Sequence, residues 1–188
     1  MKLKPVIPLI LVAALAGCSS RPPWADGRMI RERRPAGAAV QDLSHFEQRL
    51  LDAHDRARAE TGAPPLRWDP ALASAAAAYG PALAAQVKLS HSEPRSRPGQ
   101  GENLWMGTRG AYSLEEMAGS WVDEKKLFRA GIFPDVSTSG HWSDVAHYTQ
   151  MIWRGSDRIG CALYPSGGWD YLICRYAPAG NVVGQKVP

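Results

Sequence analysis

The chain has 188 residues, 45% of them hydrophobic and 21% charged, a composition that suits one well-buried folded domain once its ends are set aside. The formal charge of +4 falls to about +2 if a leader carrying Lys2 and Lys4 is removed, which excludes nucleic acid as an expected partner.

In chain order, "MKLKPVIPLILVAALAGCSS" sets two lysines ahead of a short apolar run and small residues before Cys18. This pattern reads as an export signal and is too short to span a membrane. Leu15-Ala16-Gly17-Cys18 resembles the lipobox of bacterial lipoproteins, which implies that residues 1–17 are a signal peptide and that Cys18 is lipidated. The plainer alternative is a secretory signal with Cys18 as a passenger. Ser19 rather than Asp follows Cys18, and the same resemblance then implies the outer membrane of a bacterial cell envelope, facing the periplasm or the cell surface. "RPPWADGRMIRERRPAGAAV" carries five arginines and three prolines without apolar periodicity. Residues 18–42 therefore read as a flexible tether, and residues 43–188 as one domain.

Within the domain, "FEQRLLDAHDRARAETG" aligns Phe46, Leu50, Ala53 and Ala57 on one helical stripe that Gly62 and Pro64-Pro65 terminate. "DPALASAAAAYGPALAAQV" predicts a second helix with Asp69 as N-cap and Pro70 at its first position. Gly80-Pro81 predicts a kink there, or two shorter helices. "GENLWMG" reads as a short extended segment. "SLEEMAGSWVDEKKLF" predicts a third helix opened by a Ser113–Glu116 capping box, with Leu114, Met117, Trp121 and Phe128 as its apolar stripe.

Between Cys161 and Cys174, Gly167-Gly168 separates two apolar runs, the pattern of a tight hairpin. A two-residue loop on these glycines places Cys161 opposite Cys174 at a non-hydrogen-bonded pair, where side chains approach most closely. In an exported protein such a pair oxidises, so a Cys161–Cys174 disulfide is expected. Helices flanking a small antiparallel sheet give an α+β domain.

Four titratable residues break their local patterns. His91 ends helix-like "AAQVKLSH", Glu102 precedes apolar Leu104-Trp105, Glu124 lies three positions after Trp121, and His147 leads into "YTQMIW". Each alone is explained as a polar residue at the edge of the core. Together they are the residue types of a divalent metal site, although spacing does not show that they meet.

"AHYTQMIW" and "YLICRYAPAGNV" resemble the two signatures of the CAP superfamily (cysteine-rich secretory proteins, antigen 5 and pathogenesis-related proteins). "HDRAR", "PPLRWDPALASAAAAYG", "LSHS", "GENLW" and "WVDEK" match further family segments in order, over about residues 46 to 182. The resemblance implies an α–β–α sandwich with a three-stranded antiparallel sheet between helices. It also implies a large cleft holding His91, Glu102, Glu124 and His147. Asp55 and Ala146 depart from the family pattern at the cleft rim. His54 and Arg58 read as buried polar residues tying the first helix to its neighbours, and His45 and His141 as surface residues. Trp105, Tyr112 and Trp142 fit either the cleft rim or the core.

Two functions fit these residues. The first is a binding module: His91 and His147 hold zinc or a similar ion, Glu102 and Glu124 ligate through water or orient the rings, and the cleft captures a lipid, glycan or protein. The second is a zinc-dependent hydrolase of the envelope, a peptidase or peptidoglycan amidase, with Glu102 or Glu124 activating water. Against it, the chain lacks a helical His-Glu-x-x-His pair and a G-x-S-x-G element, and the disulfide removes a cysteine nucleophile. Binding is the preferred reading.

Overall fold

The computed structural model describes residues 30–31, 41–86 and 89–188. Residues 1–29 and 32–40, which hold the expected signal peptide, Cys18 and most of the expected tether, lie outside the described residues. Among the described residues there are four α-helices, α1 (Phe46–Glu60), α2 (Pro70–Ala84), α3 (Leu114–Val122) and α4 (Ala146–Met151). The strands are β1 (Ile30–Arg31), β2 (Arg67–Trp68), β3 (Gly101–Thr108), β4 (Gly131–Ile132), β5 (Arg158–Ser166), β6 (Trp169–Ala177) and β7 (Lys186–Val187). Among the described residues no helix is long and apolar enough to cross a membrane.

The expected three-stranded antiparallel sheet is β3-β6-β5. It carries two-residue parallel strands on its edges, which makes the order β1-β3-β6-β5-β2. A second small sheet pairs β4 with β7. Both faces of the main sheet are covered, so its strands bury side chains in both directions. Leu172, Cys174 and Tyr176 of β6 and Trp105 of β3 join the core formed with α1 and α3. Tyr171 and Ile173, with Leu104 and Met106, face α2 through Ala76 and Leu83. Period-two alternation thus divides one strand between two helical layers, giving the α–β–α sandwich.

The hairpin register is the one its glycines predict. Cys161 pairs with Cys174, their Cα atoms are 4.1 Å apart, and the disulfide is formed. Of the two turn glycines, only Gly167 takes a positive φ, 56°. Asp69 accepts from the amides of Ala71 and Leu72 at the start of α2, and the Ser113–Glu116 capping box opens α3.

Three local expectations are corrected. α2 runs as one helix through Gly80-Pro81 and not as two shorter ones. Pro81 and Ala77 are both exposed, so the carbonyl that proline leaves without an amide partner meets solvent, and only one turn follows. Gly80 itself is a packing feature: a Cβ there would run into the Tyr164 ring. Of the residues before His91, Ala85, Gln86, Leu89 and Ser90 lie outside the helix, which ends at Ala84. The third helix tightens to a 3-10 turn over Asp123–Leu127, and Phe128 packs edge-on against Tyr148 instead of extending the α3 stripe.

His54 and Arg58 are fully buried on α1. His54 donates from Nδ1 to the Leu50 carbonyl and accepts at Nε2 from the Tyr176 hydroxyl. Burial, reinforced by the nearby Arg58 charge, pushes its pKa down to about 4 against the Leu50 bond, so the ring is neutral at pH 7. Arg58 donates to the carbonyls of Pro64, Met151, Trp153 and Ser156, tying α1 to the turn after α4. Asp55 accepts from the Leu66 amide, and His45 and His141 are exposed as expected. Arg58→Met keeps the volume but leaves four carbonyls without their donor, two of them at Met151 and Trp153. Urea unfolding is expected to show a loss of about 4 kcal/mol; a loss below about 1 kcal/mol would mean that water replaces the guanidinium.

Candidate functional site

The four singled-out residues lie around one cavity, but as two pairs rather than one tetrad. His91 Nδ1 donates to Glu102 Oε1 at 2.7 Å, and His147 Nδ1 donates to Glu124 Oε1 at 2.6 Å. His91, Glu102 and His147 line a cavity of about 460 Å³, whereas Glu124 stands behind His147 and does not line it. Among the described residues no three or more His, Cys, Asp or Glu side chains converge as a ready-made metal cluster.

Each pair is built differently. Glu102 begins the buried strand β3, and its side chain has no solvent exposure. Its carboxylate accepts from the Ser92 amide and hydroxyl at 3.0 and 3.1 Å and pairs with Arg175 at 3.0 Å. Arg175 is directly across the sheet on β6 and lies over the Tyr79 ring. Burial opposes the charge on Glu102, yet the His91 hydrogen bond and the charges of Arg175 and Arg97 hold its carboxyl below the usual glutamate range. The Tyr79 hydroxyl donates to the Ser90 carbonyl and fixes the segment that presents His91.

Glu124 projects from the 3-10 turn after α3. Its Oε2 accepts the backbone amides of His147 and Tyr148 at 2.9 and 3.1 Å, so it caps α4 while its other oxygen orients the His147 ring. That ring stacks on Trp121 with 11° between planes. Asn103 on β3 donates to the His147 carbonyl, and Asn181 donates to that of Ala146. Gln150, one turn further along α4, accepts from the Gly180 amide and closes the cavity between β3 and the segment after β6.

Chemically, a carboxylate that accepts from Nδ1–H leaves a neutral imidazole with its lone pair on Nε2. Neither Nε2 has a protein partner among the described residues. The geometry therefore gives the glutamates the role of orienting the rings. Both Glu102 oxygens and both Glu124 oxygens are engaged, so neither of the two glutamates that the hydrolase reading names is disengaged to activate water. The cavity lining also includes the apolar side chains of Phe133, Trp142 and Val183. Trp142 is thus a cleft residue, while Trp105 and Tyr112 are core and meet edge-on at 5.0 Å.

Sequence reasoning missed Ser92, Arg175, Asn103 and Gln150. A signal existed for Arg175, a charge inside the otherwise apolar run "YLICRYA". Ser92 offered no signal beyond its place next to His91.

Glu102→Gln leaves Arg175 buried without its anion and is expected to cost about 3 kcal/mol at neutral pH. Because the folded-state pKa of Glu102 is depressed, this contribution is complete above the unfolded value of about 4.3. It is lost as pH falls through the lower folded value. Melting temperatures of wild type and variant should differ at neutral pH and converge in acid; a gap that persists unchanged in acid would assign the effect to packing.

The cysteine-rich secretory protein (CAP) family model matches residues 51–176. Pathogenesis-related protein 1B of Nicotiana tabacum is 40% identical over 141 residues, 74% of this chain and 79% of that protein. The PR-1 type protein of Sambucus nigra is 34% identical over 74% of this chain and 80% of its own length. The crystal structure of NaASP2 with Zn2+ superposes with a TM-score of 0.65 at 22% identity, over 81% of this chain and 88% of that one. That likeness shows the fold. With the α–β–α sandwich, the disulfide hairpin and the paired histidines and glutamates at one end of the sheet, the chain belongs to the cysteine-rich secretory protein (CAP) family.

Proposed function

We propose that this CAP-family chain is a lipid-anchored protein of the bacterial cell envelope, held at Cys18 in the outer membrane, whose cleft binds rather than cleaves its ligand. Nε2 of His91 and Nε2 of His147 hold a divalent ion, zinc by donor preference, and the space beside them takes a lipid, glycan or protein group.

One observation carries this reading. Each imidazole is oriented through Nδ1 by a carboxylate that is itself immobilised, the arrangement in which a histidine is prepared to donate Nε2 to a metal. The donor set fits: two neutral imidazoles suit zinc, and the carboxylates keep the tautomer without occupying the ion. The related fold of NaASP2 crystallised with Zn2+ supports the choice of metal. A bound ion would supply a Lewis-acidic anchor for an oxygen of the ligand. The chain's own contribution is orientation, together with the apolar lining of Phe133, Trp142 and Val183.

Calorimetric titration of the Cys18→Ser chain with zinc tests this. Binding is expected at neutral pH and should weaken with acidification, since only neutral imidazole coordinates. His91→Ala and His147→Ala should abolish it, and Glu124→Gln should weaken it by about 10- to 100-fold. No heat of zinc binding to the otherwise unaltered chain would remove the metal. Zinc-dependent cleavage of peptidoglycan fragments or model peptides would replace the binding reading with the hydrolase.

A further inference from the structure

Strand β3 reaches both histidines of the cleft with two consecutive residues. Glu102 lies on the face that packs against α2, where Leu104 and Met106 follow it. Asn103 lies on the other face with Trp105, because side chains alternate along a strand. From there its Nδ2 donates to the His147 carbonyl at 3.1 Å, while Glu102 accepts from His91 at 2.7 Å. The level of both residues is pinned across the sheet. Asn103 lies opposite Cys174, which the disulfide ties to β5, and Glu102 lies opposite Arg175, its ion-pair partner.

Asn103 is 1% exposed and is itself held from behind. Tyr176 sits diagonally across from it on the same face of β6, and the Asn103 amide donates to the Tyr176 hydroxyl. That hydroxyl meets Nε2 of His54, whose Nδ1 meets the Leu50 carbonyl. Carbonyls at both ends of this chain assign every proton in it. The Leu50 carbonyl only accepts, so His54 donates through Nδ1 and takes the tyrosine hydrogen bond at Nε2. The His147 carbonyl also only accepts, so Asn103 commits its two amide hydrogens, one to each neighbour. A buried chain satisfied in this way has one arrangement, and it fixes the His147 backbone relative to β3. Glu124 then orients a ring whose starting point Asn103 has set.

We propose that Asn103 is a positioning residue of the cleft and that, with its neighbour Glu102, it makes β3 the gauge for the separation of the His91 and His147 imidazoles. The consequence for a ligand rests on the zinc reading, since zinc–nitrogen bonds of about 2.0–2.1 Å tolerate little error in that separation. Tyr176 and His54 act through Asn103 and tie the separation to α1.

Asn103→Leu keeps the volume and removes both donated hydrogen bonds, and Tyr176→Phe removes only the hydroxyl behind Asn103. Leu83→Ala, between the sheet and α2, lowers stability without touching the chain of bonds. Calorimetry on the Cys18→Ser chain is expected to show zinc affinity weakened about 10- to 100-fold by Asn103→Leu. The loss should be smaller with Tyr176→Phe and absent with Leu83→Ala. A second readout needs no metal: proton NMR follows the carbon-bound ring protons of His147, whose resonances the stacked Trp121 indole displaces. They should move toward unstructured-peptide values in Asn103→Leu and Tyr176→Phe and stay in place in Leu83→Ala. If Asn103→Leu does not fold, Tyr176→Phe decides alone. Ring resonances unmoved in the folded variants, or moved equally by Leu83→Ala, would overturn the positioning role. So would zinc affinity untouched by Asn103→Leu in a chain that binds zinc. A wild-type site that takes up no zinc removes the metal reading instead, and displaced ring resonances in its variants would still uphold Asn103.

Discussion

The buried guanidinium of Arg58 is the interaction on which the rest of the molecule depends. A full positive charge sits at zero exposure, and four backbone carbonyls compensate it. Carbonyl dipoles stabilise a buried cation only if several point inward together, so the arrangement specifies their positions as much as it uses them. One comes from Pro64, at the approach to β2, and three come from the last residue of α4 and the turn that follows it. The placement of α4, and with it His147, is therefore set from α1. His54 adds a second tie from the same helix to Tyr176 on β6. Conserving volume with an apolar residue would not reproduce this, because the carbonyls would remain buried without donors.

The cleft applies related logic twice with different parts. Around His91, the orienting carboxylate is buried in the sheet and its charge is balanced by Arg175, with Ser92 supplying two further donors. Around His147, the orienting carboxylate caps a short helix, so the bonds that terminate α4 also fix the ring. In both cases the element that would otherwise need a partner at its end obtains one from the residue that aligns a histidine. Fold stability and site geometry are thus coupled at Glu102 and Glu124, and few rotamers remain to be ordered when a ligand arrives.

Sheet topology adds direction to this site. Most residues of the cavity come from the loop before β3, the start of β3, α4 and the segment after β6, and Phe133 after β4 and Trp142 before α4 complete it. The hairpin turn closes the other end, where side chains pack as core. The two-residue strand β1 pairs in parallel with the same β3 that carries Glu102 and Asn103.

Much of the scaffold was legible in the residues because its signals are local. Asp69-Pro70 and Ser113–Glu116 start helices through bonds spanning two or three positions, and Gly167-Gly168 sets a register that pairs the cysteines without reference to anything outside the hairpin. The four polar residues could be picked out by the same means, as breaks in apolar patterns. Tertiary structure alone decided what those breaks do. The fate of Gly80-Pro81 depended on Tyr164 from a strand more than eighty residues later and on solvent access to one carbonyl. The role of Glu124 depended on the amides of a helix twenty-three residues away, and that of Glu102 on an arginine across the sheet. Capping and register are encoded within a few bonds of the chain. Burial, charge compensation and the direction of a lone pair exist only after distant segments have met.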